Sequence, residues 1–396
     1  MDYRESLDWL FNTQMFGIKL GLENAHRLAS ALDIYPIGKI VIHVAGTNGK
    51  GSVCAMAESI ARAAGYSTGL FTSPHLVHYN ERIKINGNDV GNSEIAEELT
   101  NIRDLIADWQ PHPTFFEITT ALGLLLFKKN GCEIIILETG MGGRLDATNT
   151  VTPSASVLTK IDFDHAQWLG NTLEKIATEK AGIIKPNIPA ITYPQTPEVL
   201  EVFKKSTDQL TIIENPYSGQ IALAGEHQNW NAALAIESLE KAGAFLTPDH
   251  IVKGLQNVQW PGRFQEIRPG IYLDGAHNPA AARMLVKTWE LYGPKEKPTI
   301  LIGILSDKDV AATLTALAPL AANWIAIAPK SPRSLSPHDL ALKIREVSDA
   351  PIQLAASLEE VLANTRPPLL VCGSLFLVGE ALAHLQKQPG IRATTQ

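Results

Sequence analysis

The sequence predicts an α/β protein of two domains, each built on a mainly parallel sheet, and three observations predict it. From Lys39 onward, apolar runs of strand length alternate with amphipathic stretches, the pattern of parallel strands joined by crossover helices. A glycine loop, Gly46-Thr47-Asn48-Gly49-Lys50-Gly51-Ser52, joins the apolar run Ile40-Val41-Ile42-His43-Val44 to a helical pattern that opens at Val53. A second alternating series restarts after Gln259-Trp260-Pro261-Gly262-Arg263, where the Pro-Gly pair stops regular structure.

The first domain is therefore expected over residues 1–262, as a P-loop-containing nucleotide-binding domain, and a smaller Rossmann-like α/β domain over 263–396. Strands are expected at 40–44, 68–71, 133–137, 155–159, 190–193 and 211–213, and helices at 93–109, 116–129, 173–184, 197–209 and 229–242. The second series places strands near 271–273, 299–304, 324–327, 352–354 and 369–371. About 130 residues in that half suffice for a small independent core. The sequence shows no short-period repeat, and the tail 386–396 reads as frayed.

The loop is the feature with chemistry. A strand, a glycine turn and a helix N-terminus make a phosphate cradle, because backbone N–H groups converge there and the helix dipole adds partial positive charge. Lys50 would reach the β- and γ-phosphates, and Ser52 a magnesium ion or a phosphate oxygen. The spacing departs from G-x-x-x-x-G-K-[ST]: two residues separate the first glycines, and Gly51 precedes Ser52.

In a parallel sheet, ligands sit at the carboxyl ends of the strands, and the unusual residues fall there. Ser73, Glu138 and His165 each follow an expected strand and offer metal ligands, the two oxygen donors suiting magnesium better than the imidazole. Ser73 before Pro74 also reads as a turn residue, and His165 as a capping or core histidine. Gly140-Met141-Gly142-Gly143-Arg144-Leu145-Asp146 is a glycine-rich turn whose backbone is expected close to a ligand. On its helix, Lys180 reads by itself as a solvated lysine. In the second half, Asn278 before Pro279 reads as a helix cap, whereas Asp274 and His277 are not explained by capping.

Composition excludes several classes. With 45% hydrophobic and 19% charged residues the chain is an ordinary globular one, and a net charge of -7 argues against a nucleic-acid surface. Cys54, Cys132 and Cys372 are scattered without C-x-x-C spacing and read as buried thiols of a reducing compartment. Asp2, Arg4, Glu5 and Asp8 interrupt any signal-peptide core, and no apolar run is long enough for a bilayer. A cytoplasmic protein without nucleic-acid or membrane partners is expected.

Taken in order, the segments GTNGKGS at 46, TSPHL at 72, ERI at 81, TFFE at 114, ETGMGGRLDATN at 138, DH at 164, EKAGI at 179, GEHQNWNA at 225, WPGR at 260 and DGAHNP at 274 resemble the folylpolyglutamate synthase and dihydrofolate synthase family, a branch of the ATP-dependent Mur ligases. That family's loop has the shortened form with the extra glycine. The resemblance implies ATP on Gly49, Lys50, Gly51 and Ser52, with Asn231, Arg263 and Asp274 as further ATP contacts between the domains. It implies magnesium, as two ions, on Ser73, Glu138 and His165, and a CO₂-derived carboxylate on Lys180, which reverses the solvated reading of that lysine. Thr114, Phe115, Leu145 and Asp146 match the pterin side, and His277 and Ser374 the site for incoming glutamate. Lys50, Lys180 and His277 are thus the expected catalytic residues, in a monomer acting on dihydropteroate, reduced folates and L-glutamate.

The run 143–149 is similar to the bifunctional bacterial form, which adds the first glutamate to dihydropteroate and then γ-linked glutamates to folates, through an acyl phosphate. A monofunctional member, another Mur-type amide ligase and a non-catalytic nucleotide switch are the alternatives. Met141 stands where leucine or isoleucine is more usual, a swap that conserves volume.

Overall fold

The computed structural model describes residues 1–17, 21–164 and 166–388. His165 and residues 389–396 of the tail lie outside the described residues. The chain forms two compact units. One comprises Met1–His75, Tyr79–Ala222 and Asn229–Val258; the other comprises Leu76–His78, Leu223–Gln228 and the chain from Gln259 onward.

The first unit holds strands β1 (Ile40–Ala45), β2 (Thr68–Phe71), β3 (Ile83–Ile85), β4 (Asn88–Asp89), β5 (Ile134–Glu138), β6 (Ala155–Leu158), β7 (Ala190–Thr192) and β8 (Leu210–Ile212). Their order in the sheet is β4-β3-β2-β5-β1-β6-β7-β8. All pairs from β2 to β8 are parallel, and β3 and β4 add an antiparallel edge. The run Ile134-Ile135-Ile136-Leu137 is wholly buried, as a strand covered on both faces requires. Apolar cores fill both sides: Leu99, Phe115, Phe127, Ile135 and Leu137 belong to one, and Ala45, Leu158, Ile176 and Phe203 to another.

The expected strands of this unit all form, within a residue or two of their bounds. The β3–β4 hairpin was not expected, although its turn is an Asn86-Gly87 pair, both at positive φ (52° and 78°), the geometry of a two-residue hairpin turn. Three expected helices end early, among them the one expected to 209, which stops at Ser206. The one from Leu173 stops at Ala181 because Gly182 follows, and the one expected to 109 stops at Leu105. Helix Lys50–Ala63 packs on helix Pro248–Asn257 through Gly254, where a Cβ would lie 2.5 Å from Ile60 Cα. Ser59 Oγ donates to the Gly254 carbonyl across that contact at 2.8 Å.

The second unit holds β9 (Gln265–Arg268), β10 (Ile271–Leu273), β11 (Thr299–Ile302), β12 (Asn323–Ala326), β13 (Ile352–Leu354) and β14 (Leu369–Cys372), ordered β13-β12-β11-β14-β10-β9. Only β9, on the edge, runs antiparallel. Its core includes Trp289, Ile300, Trp324 and Leu370. Asn278 caps helix Pro279–Tyr292, its Oδ1 accepting the Ala281 N–H at 2.9 Å, as the sequence predicted. Both units are thus α/β with mostly parallel sheets. Among the described residues no helix is long and apolar enough to cross a membrane.

Candidate active site

The site of the first unit is laid out by the carboxyl ends of four neighbouring strands, β2, β5, β1 and β6. β1 ends at Ala45, and Gly46 turns the chain with its α-hydrogen facing Thr159; a Cβ there would lie 1.7 Å from Thr159 Oγ1. The loop is then tied to the segment after β6: the Thr47 N–H donates to the Lys160 carbonyl at 2.8 Å, and Thr47 Oγ1 donates to the Asp162 carbonyl at 2.9 Å. Gly49, at φ 92°, precedes helix Lys50–Ala63 and supplies no side-chain cap. The first N–H groups of that helix are therefore left for a ligand, as an anion site requires. Beside Gly49 stands Asn231, 2% exposed, whose Oδ1 would be 2.8 Å from a Cβ on the glycine. The expected ATP residues Gly49, Lys50, Gly51, Ser52 and Asn231 are gathered here.

Two lysines meet at one carbonyl. Lys50 Nζ donates to the Gly46 oxygen at 3.1 Å and to Thr47 O at 3.4 Å, and Lys180 Nζ donates to the same Gly46 oxygen at 2.8 Å. Lys180 is 4% exposed, contrary to the solvated reading. Burial, and next the charge of Lys50, push its pKa down to about 7, with Asp164 and Asp146 pulling the other way. The helical stripe explains the burial: Ile176, Ala177, Lys180 and Ala181 are the buried face of helix Leu173–Ala181. Glu138, the last residue of β5, has Oε1 4.0 Å from Lys50 Nζ and accepts the Ser73 N–H on Oε2 at 3.1 Å. Ser73 and Glu138 are thus adjacent at the ends of β2 and β5. Among the described residues no cluster of three or more His, Cys, Asp or Glu side chains is arranged for a metal. The expected set relies instead on a serine, a modified lysine and His165.

The glycine turn after β5 is packed closely on the protein. Its glycines are demanded by contacts with the protein itself: a Cβ on Gly140 would strike Phe116 Cζ at 2.5 Å, and one on Gly143 would lie 2.8 Å from the Lys180 carbonyl. Asp146 is folded into the turn. Its Oδ2 accepts the Met141 N–H at 2.9 Å, and its Oδ1 accepts the Thr148 N–H and hydroxyl at 3.0 and 2.6 Å. Burial raises its pKa, with those hydrogen bonds pulling it down. Leu145 is half-buried beside it. Thr114 caps helix Phe115–Lys129 in a capping box with Glu117.

Phe115, expected on the pterin side, is packed into the core. Its ring is 0% exposed and stacks on Phe11 with centroids 5.5 Å apart, because that side of the helix faces the core. The neighbouring Phe116, one helical step round, is the half-exposed ring against Gly140.

In the second unit, Asp274 follows β10 and its carboxylate braces the turn: Oδ2 accepts the Phe264 N–H and Oδ1 the Ala276 N–H, both at 2.8 Å. Burial raises its pKa, and the nearby Arg263 charge opposes that. Arg263 Nη1 would be 2.9 Å from a Cβ on Gly275. His277 Nδ1 lies 2.7 Å from the Gly275 carbonyl. Ser374 caps helix Leu375–Leu385, its Oγ accepting the Phe376 N–H at 3.1 Å. The predicted site residues therefore fall into two groups, one on each unit.

Sequence reasoning passed over two polar networks of the first unit. Arg82, 1% exposed, donates from Nε to His75 Nδ1 at 2.8 Å, and His43, 0% exposed, contacts Thr148. A basic residue inside or next to an apolar strand was the available signal.

A phosphate loop, a carboxylate at the next strand end and a buried lysine beside both define an ATP-dependent ligase of the Mur type. The profile of the Mur ligase middle domain matches residues 44–207, and that of the Mur ligase, glutamate ligase domain matches 262–377. The dihydrofolate synthase/folylpolyglutamate synthase of Bacillus subtilis is 36% identical over 346 residues, 77% of this chain and 80% of that protein. The structure of E. coli FolC in complex with DHPP and ADP superposes with a TM-score of 0.87 at 31% identity, covering 98% of each chain. A bifunctional folylpolyglutamate synthase/dihydrofolate synthase with Mn, AMPPNP and L-glutamate bound is similar at TM-score 0.85 and 31% identity, over 96% of this chain and 98% of that one. The chain belongs to the dihydrofolate synthase/folylpolyglutamate synthase family, whose members are ATP-dependent folate glutamate ligases.

Proposed function

We propose that this chain joins L-glutamate to 7,8-dihydropteroate and then adds γ-linked glutamates to reduced folates, at the expense of ATP. A carboxylate is a poor electrophile at neutral pH, so amide formation needs activation. An oxygen of the acceptor carboxylate attacks the γ-phosphorus of ATP, the bond to the bridging oxygen breaks, and ADP leaves an acyl phosphate. The glutamate amine attacks the acyl carbon, loses a proton, and phosphate departs with its electron pair. Lys50 and the uncapped N–H groups of helix Lys50–Ala63 hold the transferring phosphoryl group and lower the cost of charge developing on it.

The observation that carries this reading is the meeting of Lys50 and Lys180 at the Gly46 carbonyl, beside Glu138. An ATPase loop needs the first lysine alone. A second lysine, buried and with its pKa at about 7, keeps a neutral amine that can take up CO₂ as a carbamate. Ser73, Glu138 and carboxylated Lys180 suit magnesium, being oxygen donors. Bound there, the ion would neutralise phosphate and carboxylate charge. His277, Arg263 and Asp274 of the second unit are assigned to glutamate and nucleotide. The proposed division of labour runs at residue 262, the phosphate loop and the acceptor before it, glutamate and the remaining nucleotide contacts after it.

Isotope transfer tests the intermediate. With ¹⁸O in the acceptor carboxylate, one label per turnover is expected in inorganic phosphate; unlabelled phosphate accompanying amide product would exclude an acyl phosphate.

A further inference from the structure

His43 lies on β1 between Leu137 of β5 and Ser156 of β6 and is 0% exposed. An imidazole buried on a strand of Ile, Val and Ala loses its hydration, so its polar contacts need an account. Nε2 is 2.8 Å from Thr148 Oγ1, which in turn is 2.6 Å from Asp146 Oδ1. Backbone N–H groups of Thr148 and Met141 point at the two Asp146 oxygens, one at each. Both oxygens therefore accept, and Oδ1 also accepts the Thr148 hydroxyl.

The Thr148 hydroxyl then gives its one proton to Asp146, and its lone pair faces the imidazole. His43 must donate from Nε2, leaving Nδ1 bare. Nδ1 is buried without a partner, as this tautomer allows. Burial, and next the Lys185 charge, hold the ring neutral by pushing its pKa down to about 3.

We propose that His43 is a positioning residue for the acceptor side of the reaction: through Thr148 it fixes the Asp146 carboxylate, and through Asp146 the turn from Gly140 to Leu145. The anchor is three residues before Gly46, on the strand that carries the phosphate loop. The turn is thereby registered to the phosphate loop through one strand. This inference rests on the ligase reading and on the resemblance, which puts Leu145 and Asp146 of the turn on the acceptor side.

The test compares His43→Leu, His43→Gln, Thr148→Val and Thr148→Ser in the full chain with MgATP, L-glutamate and 7,8-dihydropteroate. Loss of one hydrogen bond in the chain should raise the acceptor KM about tenfold in His43→Leu and Thr148→Val, with the KM for ATP and glutamate within about twofold. His43→Gln, whose amide can donate from the place of Nε2, should recover most of the loss, as should Thr148→Ser. The double variant His43→Leu/Thr148→Val should be no worse than either single change. Equal rises in all three KM values, or glutamine no better than leucine, would overturn the inference. If His43→Leu does not fold, equal acceptor KM in Thr148→Val and Thr148→Ser overturns it instead. The ¹⁵N shifts of the wild-type imidazole give a readout without turnover: protonated Nε2 and bare Nδ1 are expected, and the reverse would refute the proposal. A wild-type chain without turnover would overturn the ligase reading and this inference together, whereas wild-type turnover with unchanged acceptor KM in His43→Leu would overturn this inference alone.

Discussion

Lys50 and Lys180 direct their side-chain nitrogens to the same atom, the Gly46 carbonyl oxygen, at 3.1 and 2.8 Å. Two ammonium groups at one acceptor repel each other, and the more buried of the two yields its proton more readily. On the proposed reading Lys50 serves the phosphate, and Lys180, its pKa lowered by burial and by the Lys50 charge, is the one that takes up CO₂ to become an anionic ligand.

Removing that ligand should be severe. Lys180→Ala is expected to lower kcat at least about a hundredfold, since even changes beyond the direct ligands of a metal cost ten- to a hundredfold. The fold should persist, with the circular dichroism spectrum unchanged. Undiminished activity would end the proposed role of Lys180, and restored bicarbonate should reactivate CO₂-depleted wild-type protein but not the variant.

The same lysine makes stability depend on pH. Unmodified Lys180 has a pKa of about 7 in the folded chain against 10.5 for a free lysine. Between those values the unfolded chain binds a proton that the native one does not, so stability rises with pH from about 7 to 10.5 and carries the full penalty below 7. Lys180→Met removes the group. Its stability margin over wild type, from urea titrations in CO₂-free buffer, should be larger at pH 6.5 than at pH 9.5; a margin indifferent to pH would contradict the assignment.

Gly49→Ala places a Cβ at φ 92° and 2.8 Å from Asn231 Oδ1. The backbone strain alone costs on the order of 1–2 kcal/mol. Thermal unfolding should show that loss, and calorimetry with an ATP analogue should show weakened binding. An alanine variant with native affinity would mean that the close packing of Asn231 on the loop does not matter.

The two phenylalanines at the start of helix Phe115–Lys129 should separate stability from acceptor binding. Phe115→Ala empties a fully buried, stacked position and should cost about 3–5 kcal/mol. Phe116→Ala should cost less stability and raise the acceptor KM more, because its ring supports Gly140. The opposite ranking would return Phe115 to the pterin side.

Much of this was legible in the sequence for a physical reason. Strands such as β5 are buried on both faces and spell unbroken apolar runs, and glycine and proline mark the ends of the elements between them. A polar edge strand is harder to read: Gln265–Arg268 alternates half-buried and exposed residues and carries three polar side chains, so it reads as loop. Ser73 and Glu138 could be placed because strand ends are ligand positions in parallel sheets. The burial of Lys180 was written in its spacing of four from Ile176, but a lysine on an apolar stripe reads as solvated unless the site it faces is known. Phe115 and Phe116 differ by one step around a helix, which a motif cannot resolve. Nor does a motif show that the glycines after β5 are required by Phe116 and by the Lys180 carbonyl.

The most direct test of the central claim is ADP formation by the purified chain with MgATP and L-glutamate, comparing 7,8-dihydropteroate with tetrahydrofolate as acceptor and identifying products by mass. Turnover with both, each product heavier by one glutamyl unit per ADP, is the predicted result. Turnover with one acceptor would contradict the bifunctional reading and leave a monofunctional ligase, and ADP formed with neither would contradict the account itself.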